Sequence, residues 1–286
     1  MTLEVALKVF RYKAGQPPIV AIGGQPPNSS IGGQPPRYDT FRVRVPDAAN
    51  VLDAIEAAWA EHDRSLMFRH ACHHASCGSC AMRVNGREVL PCITPIRDAA
   101  PVRDGRYEMR IEPLRNFPIV SDLVVDVSGF FRRMSTSGMT ITRTAEPVLP
   151  LAAGQANGSP PTGAGEQKRV GLADGLTRYN RFENCVECGI CISACPTMAT
   201  SDKFVGPAAL AGIYRARLET RDRAESARLL ALADGEHGVW RCHSGWECTE
   251  ACPQGVDPAG AIMSLRRDLV KQRIKRLFNV RRALRA

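Results

Sequence analysis

The chain has 286 residues, of which 44% are hydrophobic and 23% charged, and its formal net charge is +9 at pH 7. This length and composition suit a folded protein of one or two domains. No stretch approaches the ~20 consecutive apolar residues that a membrane-spanning helix needs, and the first residues lack the apolar core of a signal peptide. We therefore expect the chain to stay in the cytosol and to meet a membrane only peripherally.

The first part of the chain predicts a small sheet and one helix. Residues 3–10 and 40–46 are rich in β-forming residues and predict two strands that pair as a hairpin. We expect Asp47 to open a helix that runs through Trp59, and a further strand at 107–111. Strands, a helix and an intervening cysteine loop are typical of the β-grasp fold.

A Gly-Gln-Pro-Pro motif occurs three times between the first two strands, beginning at Gly15, Gly24 and Gly33. Proline pairs remove backbone donors and favour extended chain, so this segment cannot form a helix or a central strand. We interpret residues 15–37 as an expanded surface loop without chemistry. A docking ligand for a partner protein is the alternative interpretation.

Four cysteines follow the predicted helix with the spacing C-x4-C-x2-C-x11-C: Cys72, Cys77, Cys80 and Cys92. This is the plant-type pattern of a [2Fe–2S] cluster, in which four thiolates complete two tetrahedral irons. Gly78 allows a tight loop, and Asn85-Gly86 predicts the turn of the hairpin that precedes the fourth cysteine. Zinc is the alternative, although x4 followed by x2 on one loop is unusual for zinc.

His73 and His74 lie inside this loop and suggest a Rieske-type site, in which two histidines replace two cysteines on one iron. All four cysteine positions are already filled, so we expect both histidines on the loop surface. Tuning of the cluster from outside its ligand set is the alternative.

Residues 145–168 are rich in Gly, Pro and Ala and predict a linker. Beyond them helical patterns dominate, especially over 206–233 and 257–285. We therefore expect an α+β protein with a β-grasp domain over residues 1–144 and a mostly α-helical, bacterial-ferredoxin-like domain over residues 169–286.

Two more cysteine runs lie in this helical region. The first is C-x2-C-x2-C-x3-C-P, the bacterial ferredoxin run, and the second is C-x5-C-x3-C-P, with Gly245 where a middle cysteine would stand. The total of eleven cysteines is odd and no export signal precedes them, so we expect metal ligands rather than disulfides.

Crossed ligation gives an assignment, because the fourth cysteine of such a run belongs to the other cluster in two-cluster ferredoxins. A [4Fe–4S] cluster is then expected on Cys185, Cys188, Cys191 and Cys252. Three thiolates remain and suit a [3Fe–4S] cluster: Cys195, Cys242 and Cys248. The alternative for this second site is a [4Fe–4S] cluster with one iron held by water.

The last 21 residues, from Arg266 onward, contain nine Lys or Arg and a single acid, Asp268, and so carry +8 of the net charge. Apolar residues recur among them at helical spacing, which predicts a basic amphipathic helix. A solvated terminal helix and contact with acidic lipid headgroups or an acidic partner surface are the alternatives. We expect no nucleic-acid binding, because nothing else in the sequence supports it.

Taken together, the motifs resemble the iron–sulfur subunit of succinate dehydrogenases and fumarate reductases between about residues 40 and 272. The segments that carry the resemblance are FRHACHHASCGSCAMRVNG, FPIVSDLVVDVSGFFRRM, CVECGICISACP, FVGPAALAGIYRARLETRD and WRCHSGWECTEACPQGVDPAGAI.

The resemblance implies an electron relay with no acid, base or nucleophile of its own. In this family electrons pass from FAD on a flavoprotein subunit through [2Fe–2S], [4Fe–4S] and [3Fe–4S] clusters to a quinone beside membrane anchor subunits. A peripheral place on the cytoplasmic face of the cell membrane follows. The implied activity is succinate:quinone oxidoreduction, with fumarate reductase working with menaquinol, or a soluble thiol-linked fumarate reductase, as alternatives.

The resemblance also assigns a quinone vicinity to four residues: Pro196, Thr197, His243 and Gly245. Many ubiquinone-using members have tryptophan shortly after this proline, whereas Ala199 and Thr200 stand here, which leaves menaquinone plausible. The HHAS sequence inside the first cysteine loop replaces the family's usual Arg-Glu-Gly run and indicates a divergent branch.

Two other classes compete with this interpretation. Subunits of the heterodisulfide reductase or glycolate oxidase type often carry a Cys-Cys-Gly motif, and this sequence has no adjacent cysteines. A free-standing soluble ferredoxin would have no fixed partner, and the basic tail and long linker argue against it.

Overall fold

The computed structural model describes residues 2–12, 19–20, 37–137, 182–220 and 222–283. Within these ranges, side chains are described for residues 2–12 and for those between 37 and 278. Most of the Gly-Gln-Pro-Pro repeat segment and the whole predicted linker over 145–168 lie outside these residues.

The strands all lie in the N-terminal half of the described chain. They are β1 (Thr2–Arg11), β2 (Ile19–Val20), β3 (Arg37–Pro46), β4 (Met82–Val84), β5 (Arg87–Val89), β6 (Val102–Arg103), β7 (Arg106–Glu112), β8 (Pro118–Ser121) and β9 (Val124–Val125). One sheet has the order β3-β1-β7-β4-β5, with β6 paired to β7, and β2, β8 and β9 form a second sheet.

The centre of the larger sheet is the pair β1 and β7, which run parallel. Strand β1 also pairs antiparallel with β3, and β4 pairs antiparallel with both β5 and β7. A parallel central pair flanked by hairpins is the β-grasp arrangement, so the predicted fold of this half is confirmed. Alternate residues of β1, including Val5, Leu7 and Val9, are buried beneath the first helix.

That helix, α1 (Val51–Glu61), begins four residues later than the sequence predicts. A turn in which the Ala49 amide donates to the Pro46 carbonyl follows β3. Asn50 then caps the helix in a reciprocal capping box with Asp53, whose carboxylate accepts from the Asn50 amide at 2.7 Å. The prediction that Asp47 opens the helix is therefore wrong, because the better capping pair lies downstream.

Most of the remaining helices lie in the C-terminal half of the chain. They are α2 (Ile96–Ala99), α3 (Ser128–Thr136), α4 (Ile190–Ser193), α5 (Pro196–Thr200), α6 (Pro207–Glu219), α7 (Arg223–Ala233), α8 (Glu247–Glu250) and α9 (Pro258–Ala283), with 3-10 turns at Pro91–Ile93 and Val239–Arg241. No strand occurs among the described residues from 182 onward. The overall class is α+β, as expected.

Helix α9 packs on this half through its first part only. Leu265 and Leu269 are buried, whereas Ile274 is 46% and Leu277 66% exposed. The amphipathic pattern therefore describes a helix whose apolar stripe is covered at one end and open at the other. In the part of the chain that the structure describes, no helix has the length and apolar character to cross a bilayer.

A polar seam joins the two halves. The Asn116 side-chain amide donates to the carbonyls of Ile192, Ser193 and Cys195 at 2.8, 3.2 and 3.1 Å. The Ser193 hydroxyl, which is buried, accepts from the Arg115 backbone amide at 2.8 Å and donates to Glu88 Oε1 at 2.9 Å. These bonds satisfy groups that would be costly to leave unpaired away from water, so they fix how the halves meet.

Replacing Asn116 tests this seam. Asn116→Ala removes the donor shared by three carbonyls and is expected to cost about 1–3 kcal/mol. Asn116→Asp keeps the size but sets a carboxylate against carbonyl oxygens, so it should destabilise more. The measurement is the anaerobic denaturant midpoint for loss of cluster absorbance. An aspartate variant as stable as the natural protein would contradict the donor role.

Candidate metal centres

The first cysteine loop lies between α1 and β4. Cys80 is buried, Cys77 is exposed, and Cys92 is buried in the 3-10 turn that follows β5. The turn between β4 and β5 has Asn85 and Gly86 at positive φ, as the sequence predicts. The hairpin thus returns the fourth cysteine to the loop that carries the other three.

Backbone amides surround the sulfur of Cys72. The Cys77 amide donates to Cys72 Sγ at 3.4 Å. The pKa of Cys72 is lowered to about 6, first by the His74 amide and further by hydrogen bonds from Cys77 and Ser76. Amides aimed at a sulfur stabilise negative charge on it, and this loop therefore favours a thiolate at Cys72.

Neither of the two loop histidines is buried. His74 Nδ1 contacts the Cys72 carbonyl, and His73 Nε2 lies 3.0 Å from Nδ1 of His70. The backbone amide of His74, rather than its ring, acts on the Cys72 sulfur. The contribution of His74 to the Cys72 sulfur thus comes from its main chain.

The second set of thiols surrounds a small cavity. Four cysteines line it: Cys185, Cys188, Cys191 and Cys252. The rest of the lining includes the apolar side chains of Phe130, Ile190 and Val256. Burial raises the pKa of Cys188 to about 12 and raises those of Cys185 and Cys191 above their ordinary value. Thiols that resist ionisation in apolar surroundings need a cation to hold them as thiolates.

The third set, Cys195, Cys242 and Cys248, neighbours the second, since the thiols of Cys191 and Cys248 interact. Burial raises the pKa of Cys248 to about 12, and repulsion from Cys195 and Cys242 adds to this shift. Burial also raises the pKa of Cys195. Hydrogen bonds from the Met198 and Thr197 amides and from the Thr197 hydroxyl lower this pKa and partly offset the rise. These three thiols are therefore electrostatic neighbours.

The three sets follow one another without a gap. A Cβ built at Gly78 would lie 2.7 Å from Cys188 Cβ, so only glycine, here at φ +66°, lets the first loop touch the second set. The thiols of Cys191 and Cys248 interact electrostatically, which links the second set to the third. Redox groups held by these sets would form a continuous series.

The donor chemistry fits iron–sulfur clusters. All eleven cysteines are free thiols, and no disulfide removes one from the ligand supply. Soft thiolates suit iron with bridging sulfide, and burying several of them together is favourable only with bound cations. When bound, such clusters supply one-electron redox chemistry, while the chain supplies position, burial and amide hydrogen bonds.

The four residues assigned to a quinone vicinity occupy different environments. Thr197 is buried, and its hydroxyl reaches the Cys195 sulfur. Pro196, His243 and Gly245 are exposed. The structure thus gives Thr197 a role beside the third cysteine set and leaves the other three at the surface.

Sequence reasoning missed the part played by Arg266, which it counted as one charge of the basic tail. The Arg266 guanidinium donates to the carbonyls of Val239 at 2.6 Å and Cys242, and to the Ser244 hydroxyl at 3.0 Å. It therefore braces the loop that carries Cys242. No sequence signal separates this arginine from its neighbours, because the contact joins positions more than twenty residues apart.

Two family models match the chain. A 2Fe-2S iron-sulfur cluster binding domain matches residues 6–132, and a 4Fe-4S dicluster domain matches residues 181–256. The predicted [2Fe–2S] cluster of the first half and [4Fe–4S] cluster of the second half are thereby confirmed.

Curated relatives match over most of the chain. The fumarate reductase iron–sulfur subunit of Haemophilus influenzae is 36% identical over 78% of this chain and 82% of its own length. The Mycobacterium tuberculosis counterpart is 36% identical over 80% and 84%. The succinate dehydrogenase iron–sulfur subunit of Paracoccus denitrificans is 33% identical over 82% of each.

A solved chain of the Mycobacterium smegmatis Sdh1 complex in the apo form shares the fold, with a TM-score of 0.66 at 23% identity over 95% of this chain and 98% of that chain. With the sequence relatives, the cluster domains and the contiguous thiol sets, this leads to one conclusion. The chain belongs to the family of fumarate reductase and succinate dehydrogenase iron–sulfur subunits, and its role is electron transfer within such an oxidoreductase.

Proposed function

We propose that this chain carries electrons between FAD on a flavoprotein partner and a quinone beside a membrane anchor, in the direction of succinate oxidation. The observation that carries the proposal is the unbroken series of thiol sets, from Gly78 against Cys188 to Cys191 beside Cys248. A series that begins at an exposed loop and continues into the other half of the chain suits electron transfer between two partner proteins.

Within this proposal each thiol set holds one cluster. The [2Fe–2S] cluster is assigned to Cys72, Cys77, Cys80 and Cys92. The [4Fe–4S] cluster is assigned to the four cysteines that line the small cavity, namely Cys185, Cys188, Cys191 and Cys252. The [3Fe–4S] cluster is assigned to the three remaining neighbours, Cys195, Cys242 and Cys248.

The proposed domains are residues 1–144 and 169–286, joined by a linker over 145–168. The first would face the flavoprotein through the exposed cysteine loop. The second would face the membrane anchor with the open, basic end of α9, where Phe278 is 64% exposed. The chain would then lie peripherally at the cytoplasmic face of the membrane, as the resemblance implies. Pro196, Thr197, His243 and Gly245 would then lie towards the quinone.

Fumarate reduction is the second candidate. It uses the same wiring in reverse, and it is favoured by the 36% identity to the fumarate reductase subunits of Haemophilus influenzae and Mycobacterium tuberculosis. The relative rates of succinate-dependent quinone reduction and quinol-dependent fumarate reduction distinguish the two directions.

The decisive experiment is anaerobic purification of the tagged chain from membranes in mild detergent. We expect a polypeptide with covalently bound flavin, membrane polypeptides and a quinone to co-purify. Succinate-dependent quinone reduction should exceed quinol-dependent fumarate reduction. The reverse ratio would support the second candidate, and isolation of the chain without any flavoprotein would overturn both.

Gly245 provides a test of the three-thiolate site. The atoms nearest to a Cβ added there belong to the carboxylate of Glu247, the end of a flexible side chain, so a cysteine can be accommodated once that carboxylate moves aside. Gly245→Cys is expected to complete a fourth ligand and convert the [3Fe–4S] cluster to [4Fe–4S]. The oxidised EPR signal of the 3Fe cluster should disappear, and iron content should rise by one per chain.

Gly245→Ala is the matched control, because it adds the Cβ without a thiol and should retain the oxidised signal. A Gly245→Cys protein with unchanged iron content and unchanged EPR spectrum would contradict the assignment of an open iron corner at this position.

Thiol reactivity in the cluster-free chain should follow the pKa values. At pH 7 Cys72, with a pKa of about 6, is mostly thiolate, whereas Cys188 and Cys248, at about 12, stay protonated. Iodoacetamide labelling followed by mass spectrometry should therefore modify Cys72 first. Circular dichroism of the same sample verifies that the chain is folded, and equal labelling of Cys72 and Cys188 in folded chain would contradict the prediction.

The same shifts set the sign of the pH dependence. Folding raises the pKa of Cys188 and Cys248 from 9.0 to about 12, so the folded chain keeps protons that the unfolded chain loses above pH 9. These groups therefore make their full contribution to the free energy of unfolding of the cluster-free chain below pH 9. That contribution is lost as the pH rises towards 12.

A further inference from the structure

Three potential metal ligands converge beside the first cysteine loop. They are Glu56 Oε1 on α1 and two imidazole nitrogens on the segment that leads into the loop, His70 Nδ1 and His73 Nε2. The carboxylate oxygen lies 3.2 Å from His70 Nδ1 and 3.5 Å from His73 Nε2, and the two nitrogens are 3.0 Å apart. None of these side chains belongs to the cysteine sets described above.

The size of this triangle matches a metal coordination sphere. Zinc binds imidazole nitrogen at about 2.0–2.1 Å and carboxylate oxygen at about 2.0–2.2 Å in a tetrahedron, so two of its ligand atoms lie about 3.3–3.4 Å apart. The three observed separations fall within a few tenths of an ångström of that value. A single ion can therefore contact all three atoms with little movement of the side chains.

The surroundings hold the ligands in place. The His70 ring stacks on Phe68 with 5.2 Å between ring centroids and 20° between planes. His73 has φ +59°, a backbone conformation that turns the loop and sets its ring edge-on to His70. Glu56 is fixed on the rigid helix α1. Ligands fixed by stacking, backbone and helix lose little entropy when an ion binds.

Hydrogen bonding leaves the cluster incompletely satisfied. Glu56 Oε1 is shielded from solvent and accepts no hydrogen bond from the described residues. The contact between His70 Nδ1 and His73 Nε2 holds one hydrogen bond, in which one nitrogen is protonated and the other accepts. A cation placed among the three atoms would accept a lone pair from each of them. The histidines themselves are 39% and 45% exposed, so an ion can enter from solvent.

We propose that Glu56, His70 and His73 form a binding site for one divalent transition-metal ion of the zinc class, with its fourth position open to solvent. Two imidazoles and one carboxylate are a borderline-soft donor set that favours Zn²⁺ or Co²⁺ over Mg²⁺ or Ca²⁺. All three ligands line a groove that also includes Trp59 and Met67, from which solvent can supply the fourth ligand.

The position gives the bound ion a consequence for electron transfer. His73 is the chain neighbour of Cys72, so their Cα atoms are only about 3.8 Å apart. A bound dication ties the cysteine loop to α1 and places positive charge beside a ligand of the [2Fe–2S] cluster. It therefore favours the reduced form of that cluster.

Equilibrium dialysis of the full-length, cluster-loaded chain against Zn²⁺ tests the proposal. We expect one zinc per chain with iron content unchanged. Glu56→Gln, His70→Ala and His73→Ala should each weaken binding by more than about tenfold, which is the smallest effect usual even for outer-shell partners of a metal site. His74→Ala, in the same loop, is the matched control and should bind as the natural protein does.

Co²⁺ provides a readout of position. As a paramagnet close to Cys72, it should speed the spin relaxation of the reduced [2Fe–2S] cluster in EPR power-saturation curves, whereas diamagnetic Zn²⁺ should not. The effect should vanish in His70→Ala and persist in His74→Ala. Zinc affinity that is equal in the natural chain and all three ligand variants, or Co²⁺ without influence on this relaxation, would overturn the proposal.

Discussion

The contact between Gly78 and Cys188 is the constraint on which the rest of the structure depends. Two cysteine loops from opposite halves of the chain meet with no side chain between them, and any Cβ at position 78 would collide with Cys188. The positive φ of Gly78 is at the same time the conformation that closes the first loop. One backbone position thus shapes one metal loop and sets its distance from the next.

Polar groups hold this contact at its fixed geometry. Asn116 and Ser193 satisfy buried carbonyls and amides across the seam, and Gln254 donates to the Ala75 carbonyl at 2.8 Å beside the first loop. Apolar packing alone would allow the halves to slide, because dispersion contacts are not directional. These hydrogen bonds are all formed in only one relative position of the two halves, and that position keeps the thiol sets adjacent.

Burial links the metal chemistry to the fold. Burial raises the pKa values of Cys188 and Cys248, which favours neutral thiols in the cluster-free interior, and bound iron would stabilise them as thiolates. The first loop is different, since amides already favour a thiolate at Cys72. The series of thiol sets therefore runs from a solvent-facing, amide-rich loop into an apolar interior, and the two environments would give bound clusters different reduction potentials.

Cysteine spacing, the missing cysteine at Gly245 and the turn at Asn85-Gly86 are local properties of the chain, so the sequence alone predicts the candidate donors. It also gave the β-grasp strands and the helical second half, since hydrophobic period follows secondary structure. The start of α1, the hydrogen bonds from Arg266 to the Cys242 loop and the contact of Glu56 with His70 and His73 became visible only in the folded chain. These features join residues that are distant along the chain, and packing rather than spacing brings them within bonding distance.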